Sequence, residues 1–315
     1  MKFRILVCGC GKLGTRYLEG LLNFNCESEI YVYDFSIESI NNSKKNLEKL
    51  TNKYLHKFIF SDNILDLPKG FDLVILSTTA KNRSNLIEML NDNFVIQNWL
   101  IEKVLAQSTL EISIIQETLK NKRNVFVNTP RRTWTLYEKL KEKLNQDISS
   151  KMKIIGNFGL ACNAIHFIDL FAWLTGEELL SINCENLDKF WIESKRNDFW
   201  EVNGIMTATF SKGSFLVIDS KMSNEKFKIS LTNSTEYFID EDNGIIYEND
   251  NLIIKEKIPL QSDLTPIIVD LILNKGFCYL PTLAESALLH KPFLDNLQIH
   301  WNHYNNTQGA ILKIT

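Results

Sequence analysis

Three glycines stand as G-x-G-x-x-G in Gly9-Cys10-Gly11-Lys12-Leu13-Gly14, and Asp34 follows twenty residues beyond the last of them. Each glycine has its own use: a tight turn, room for a pyrophosphate to reach the backbone, and close packing of a helix on a strand. The N-terminus of the helix that follows presents free N–H groups to phosphates. Asp34 is then expected to accept hydrogen bonds from the adenosine ribose. Its charge would repel a 2′-phosphate, and Phe35 and Ser36 offer no cation in its place, so NAD is expected over NADP. Further along, the apolar run Trp99-Leu100-Ile101 ends abruptly in Glu102-Lys103. Such a run reads as a buried strand, and charges at its end sit where a parallel sheet binds ligands. Lys103 is either the solvated exit of that strand or aimed at a ligand. His166 and Asp169 lie in an apolar helical stretch just after Cys162 and Asn163. Asp169, one turn beyond His166, could orient its imidazole. Arg131-Arg132 and Lys195-Arg196 are cation doublets at element ends. They are solvated charge or, if they bind substrate, suit an anionic one such as a nucleotide-sugar diphosphate or a carboxylated sugar.

The elements that must hold these residues alternate through the first 130 positions. Nearly all-apolar strands are predicted at 3–9, 29–34, 71–78, 98–103 and 124–129, with amphipathic helices at 12–24, 36–54, 82–93 and 108–122 between them. Ser108 and Glu111 form a capping box at the start of the last helix. Continuous apolar strands alternating with helices argue a doubly wound parallel sheet, that is, a Rossmann domain over residues 1–130. The pattern changes in 131–315. Helices at 133–146 and 162–178, the second stopped by Gly176, flank a strand and turn at 151–161. Eight short β-like stretches then run from 179 to 257 without helices between them, joined by turns such as Lys212-Gly213 and Asn243-Gly244. Helices near 262–274 and 282–299 close the chain. This is an α+β domain with a mostly antiparallel sheet, one face covered by helices. A second subunit is the simplest cover for the other face, giving a homodimer or homotetramer through that sheet.

The totals fit this reading. The chain has 315 residues, too many for one ordinary core, with 44% apolar and 23% charged residues. A net charge of −3 favours neither nucleic acid nor an anionic membrane, and no apolar run approaches a bilayer's thickness. The N-terminal apolar stretch is too short for a signal peptide and reads as the first strand. Six scattered cysteines with few histidines and no pair of C-x-x-C knuckles argue against a metal site and for free thiols in the cytoplasm.

The order of these features resembles the glucose-fructose oxidoreductase / inositol dehydrogenase / MocA (Gfo/Idh/MocA) family over essentially the whole chain. Its marks are GCGKLG (9–14 with the preceding strand), EKVLA (102–106), VNTPRR (127–132), NAIHFIDLFAWLTG (163–176) and the closing LPTLAESALLHKPFLDNL (280–297). The resemblance implies that Lys103 lies near the nicotinamide and the reacting hydroxyl, and that His166 completes the site from the second domain. By the same token Gly9, Gly11, Lys12, Leu13, Gly14, Asp34, Ser77, Thr78 and Glu102 would bind the cofactor. Asn163, Cys162, Arg131, Lys195 and Arg196 would face substrate. Two positions depart from the family pattern. The proline after the lysine is Val104, where a cis bond is costly, and the aspartate four residues before the histidine is Cys162, which cannot replace a carboxylate. Thr78 to Arg83 also replace the family's Thr-Pro-Asn and later histidine. An offshoot with its own substrate is expected.

The implied activity is hydride transfer between a nicotinamide and a secondary alcohol or ketone of a sugar or sugar derivative, with Lys103 and His166 handling the proton and Asp169 assisting. A nucleotide sugar of surface-polysaccharide synthesis is one such substrate. The alternatives are a redox-neutral epimerase or eliminase that uses NAD transiently, and a non-catalytic NAD-binding sensor.

Overall fold

The computed structural model describes residues 2–50, 55–220 and 226–315, in two compact units. The first comprises residues 1–105, 113–128 and 259–283, and the second 106–112, 129–258 and 284–315. The chain thus passes between units more than once, and a single cut at residue 130 describes one of those crossings.

In the first unit the elements run β1 (Phe3–Cys8), α1 (Lys12–Leu21), β2 (Ser28–Tyr33), α2 (Ile37–Glu48), β3 (Lys57–Ser61), β4 (Gly70–Leu76), α3 (Arg83–Asn93), β5 (Val95–Glu102), α4 (Thr109–Thr118) and β6 (Asn124–Asn128). The six strands form one parallel sheet in the order β3-β2-β1-β4-β5-β6. This is the doubly wound order, with its switch point between β1 and β4. Strand β3 is absent from the sequence-based prediction. It is an edge strand, its residues Lys57–Ser61 are exposed or half-buried, and its apolar run is only the three residues Phe58–Phe60. The central strands carry the core: Ile5, Leu6, Val7, Leu73–Leu76 and Trp99–Ile101 are completely buried. Side chains buried on both faces are why these strands read as unbroken apolar runs rather than alternating ones. Residues 51–54, the end of the helix predicted over 36–54, lie outside the described residues.

The second unit contains α5 (Thr135–Lys143), β7 (Lys151–Ile155), α6 (Leu160–Thr175) and the strands β8 (Leu179–Leu187), β9 (Ile192–Glu193), β10 (Trp200–Glu201), β11 (Gly204–Phe210), β12 (Phe215–Asp219), β13 (Lys228–Thr232), β14 (Glu236–Asp240), β15 (Ile245–Glu248) and β16 (Asn251–Lys255). Eight of them make a sheet in the order β16-β15-β14-β13-β7-β12-β11-β8, antiparallel except where β7 lies parallel to β12. β9 and β10 pair separately. Lys221, the last residue of one predicted strand, is outside the described residues. Along β7, β11, β13 and β14 every second side chain is buried, so one face carries the core. The helix α6 packs on β11 and β12 and ends at Gly176, whose φ of 65° gives the left-handed stop expected of it.

Of the closing helices, α7 (Gln261–Asp270) belongs to the first unit and packs on α1, while nearly all of α8 (Leu283–Asn305) belongs to the second. Gly20 makes the α1–α7 approach possible: a Cβ there would stand 2.5 Å from the Thr265 side chain. Among the described residues no helix is long and apolar enough to cross a membrane.

Candidate functional site

At the C-terminal ends of β1 and β4 the three glycines divide their labour. Gly9 turns the chain with φ 89°, its N–H donating to the Tyr33 carbonyl at 2.8 Å. Gly14 seats α1 against the turn, since a Cβ there would lie 2.0 Å from the Gly9 carbonyl oxygen. At Gly11 a Cβ would meet nothing within 4 Å. The N-terminus of α1 begins at Gly11 without a side-chain cap, so the N–H groups of Lys12, Leu13 and Gly14 open onto that space. Ser77, past the end of β4, locks the turn by donating to the Cys8 and Gly9 carbonyls at 3.0 and 2.6 Å. An open backbone face over an uncapped helix N-terminus, at a topological switch point, fits a dinucleotide's pyrophosphate.

Asp34, at the end of β2, is buried and fixed by two backbone amides. Its Oδ2 accepts from Cys10 N at 2.7 Å and its Oδ1 from Ser36 N at 2.9 Å. One carboxylate therefore both braces the glycine turn and keeps a lone pair on each oxygen for a ribose. The bracing role is not visible in sequence, because it depends on β1 and β2 lying side by side. Burial, with Asp34 adding to it, pushes the Cys10 thiol up to about 12, so this cysteine of the loop stays protonated. Phe35, which follows, is 87% exposed at this same edge.

Lys103 is half-buried and lies just past the end of β5, at the same edge as the glycine turn. The peptide joining it to Val104 is cis. Valine thus occupies the conformation the resemblance associates with proline. Glu102, expected among the cofactor ligands, is held within the unit by Tyr17 and Asn128. Its buried carboxylate accepts from Tyr17 Oη of α1 and from Asn128 Nδ2 at 2.6 Å. Asn128 in turn donates to Gln261 of α7 at 2.9 Å. Burial raises the Glu102 carboxyl above its usual range, opposed by Tyr17, Asn128, Lys103 and Arg83. Ser77 and Thr78 follow β4, and the Thr78 carbonyl accepts from Arg83. Arg83, unpromising in sequence, is among the largest fully buried side chains of the described residues.

In the second unit, Cys162, Asn163 and His166 lie half-buried on α6, near its start. Asn163 donates to the Gly159 carbonyl at 2.7 Å. Here one expectation is corrected. Asp169 does not turn its hydrogen bonds to His166. It takes the Arg132 guanidinium in a two-pronged pair, with Nε at 3.0 Å and Nη2 at 2.6 Å. Burial raises the Asp169 carboxyl, against the pull of Arg132. Arg131, expected to face substrate, is paired with Glu241. Its Nε and Nη2 reach Glu241 at 2.8 and 3.0 Å, and its guanidinium lies over the Phe167 ring at 4.4 Å. Each arginine of the doublet is spent on a buried carboxylate contributed from far along the chain. Lys195 and Arg196 are exposed in the loop between β9 and β10. A carboxylate that sequence reading missed stands at the start of α6: buried Glu201 of β10 accepts from Cys162 N at 3.3 Å. A Cβ on Gly159 would come within 2.3 Å of that carboxyl carbon.

No protein-family model matches the sequence, and no curated protein matches it. Solved structures do match the fold along its whole length. The UDP-N-acetylglucosamine 3-dehydrogenase GnnA from Acidithiobacillus ferrooxidans superposes with a TM-score of 0.70 at 15% identity, over 95% of this chain and 97% of that one. The myo-inositol dehydrogenase from Lactobacillus casei, solved with NAD(H) and myo-inositol, gives 0.67 at 17% identity, over 100% and 98%. A levoglucosan dehydrogenase solved with NADH gives 0.69 at 12%, over 95% and 98%. At these identities the likeness is one of fold.

Proposed function

We propose that this chain, folded as the Gfo/Idh/MocA-type oxidoreductases are, is an NAD-dependent enzyme acting on a secondary alcohol or ketone of a sugar or sugar derivative. The observation that carries the reading is the edge of the parallel sheet: an open Gly11 face, an uncapped helix N-terminus, a fixed Asp34 carboxylate and Lys103 at the end of β5, all within one unit. The amides of Lys12, Leu13 and Gly14 hold the pyrophosphate, and Asp34 holds the adenosine ribose and excludes a 2′-phosphate. When bound, the nicotinamide supplies the hydride acceptor or donor. Lys103 takes the hydroxyl proton as the C–H hydride departs, and returns it in reverse, with its cationic form stabilising alkoxide character at the oxygen. His166 is the second residue we assign to proton handling. Cys162 and Asn163 belong to the substrate side. Glu201, rather than the absent aspartate, supplies the carboxylate there. The second face of the large sheet is covered by another copy of the chain, and a monomer by light scattering at micromolar concentration would remove that part of the reading.

The test is a titration followed by an assay. NAD is expected to bind more tightly than NADP, and a reversed preference would overturn the role of Asp34. NADH absorbance is then followed with polyols, anhydrosugars and nucleotide sugars as substrates. Lys103→Met is expected to lower kcat by about 10²–10⁴ without loss of NAD affinity. Undiminished turnover in that variant would end the assignment of Lys103. Turnover with no net absorbance change would point to a redox-neutral reaction.

A further inference from the structure

A cation opens α3. Arg83 is its first residue, following Asn82 in a left-handed conformation of φ 56°. That is the end of a helix where the backbone dipole disfavours positive charge, and Arg83 is only 1% exposed there. Burying a guanidinium at the wrong end of a helix is costly unless its donors are matched. Its two Nη groups are matched by main-chain carbonyls from two separate loops. Nη1 donates to the carbonyls of Glu102 at 2.5 Å, Val104, and Leu105 at 3.2 Å. Nη2 donates to the Thr78 carbonyl at 2.5 Å. The first three bracket Lys103 from both sides. The fourth belongs to the loop after β4, whose Ser77 holds the Cys8 and Gly9 carbonyls of the glycine turn. A continuous set of hydrogen bonds therefore runs from the glycine turn, through Ser77 and Thr78, across one planar guanidinium, to the residues flanking Lys103.

We infer that Arg83 is the positioning residue that sets Lys103 against the bound dinucleotide. This rests on the reading of Lys103 given above. A planar fork with donors on two nitrogens fixes a distance and an angle between two loops. A lysine ammonium, one compact donor group, cannot hold both. A displacement of about 1 Å at a reacting group costs about 10²-fold in rate. Losing Arg83 is thus expected to slow the chemical step much more than it weakens dinucleotide binding.

Two lysines of the same unit make the test independent of any substrate. Lys12 opens α1 at the glycine loop and Lys103 follows the last residue of β5. The full-length protein is treated with limiting acetic anhydride, with and without NADH, and acetylation of each lysine is quantified by peptide mass spectrometry. In the wild type NADH is expected to shield both. In Arg83→Met it is expected to shield Lys12 as before and to lose its shielding of Lys103, with an NADH dissociation constant within about tenfold of wild type. Retention of both protections in Arg83→Met would overturn the inference. If the wild type shows Lys12 shielded and Lys103 not, the placement of Lys103 beside the nicotinamide fails instead, and the inference with it. Should Arg83→Met not fold, Arg83→Lys is read in the same way, with partial loss of Lys103 shielding expected and full shielding overturning the claim.

Discussion

Alanine in place of Asp169 is expected to destabilise the protein by about 3–5 kcal/mol, because it strands the Arg132 guanidinium inside the second unit. Arg132 is 8% and Asp169 2% exposed, and the two-pronged hydrogen bond between them is the guanidinium's match. Coulombic attraction is not the whole account of the pair. Burial lifts the Asp169 carboxyl above its usual range even with Arg132 beside it, so desolvation outweighs attraction for the ionised form. A pair of that kind does not gain much over an apolar substitute of similar volume, but losing one partner leaves an uncompensated charge. The double variant Arg132→Met/Asp169→Leu is therefore expected to regain most of what Asp169→Ala loses. Urea denaturation of the three proteins measures this. A double variant no more stable than the single one would show that the pair, not the stranded charge, holds the unit together. The effect is on the fold. That separates it from the proton-handling role that spacing alone suggested for Asp169.

Gly14→Ala and Gly11→Ala should fail in different ways. At Gly14 the new Cβ would stand 2.0 Å from the Gly9 carbonyl oxygen and 2.8 Å from its carbon. Both are backbone atoms of a turn already fixed by Ser77 and Asp34, so neither can step aside. Helix α1 must back away from β1, at an overpacking cost of about 1–3 kcal/mol or more. Its N-terminal amides move with it, and NADH affinity is expected to fall by about 10²-fold, close to 3 kcal/mol. At Gly11 the backbone is extended, with φ −63° and ψ −163°, and the Cβ meets nothing within 4 Å. Alanine there is expected to leave the thermal midpoint unchanged while the methyl takes up space meant for the pyrophosphate, so affinity falls without a stability loss. Thermal melts paired with NADH fluorescence titrations read both quantities. Equal stability losses at the two positions would contradict this division of labour, and unaltered NADH affinity in Gly11→Ala would move the phosphates elsewhere.

Much of the first unit is legible from residue types alone. Strands such as Ile5–Val7 and Leu73–Leu76, buried on both faces, cannot hide their apolar runs, and the glycine spacing and Asp34 are local to one strand-turn-helix-strand passage. Gly176 stops α6 as its lack of a side chain suggests. Edge strand β3, with an apolar run of only Phe58–Phe60 between Lys57 and Ser61, lacked a signal of that length. So did the destination of α7: an amphipathic helix announces that it has a face to bury, but not which sheet will take it.

The sequence by itself determined the two kinds of sheet, the glycine turn between β1 and α1 and the position of Lys103 at a strand end, because each follows from periodicity or spacing within about twenty residues. Only the tertiary structure decided the partners of the charged side chains: Arg131 with Glu241, Arg132 with Asp169, Glu102 with Tyr17 and Asn128, and Arg83 with the carbonyls around Lys103. The physical reason is that a buried charge must be matched, and the group that matches it is whichever one the fold brings within about 3 Å. Contacts between residues 37 or 110 positions apart leave no trace in local pattern.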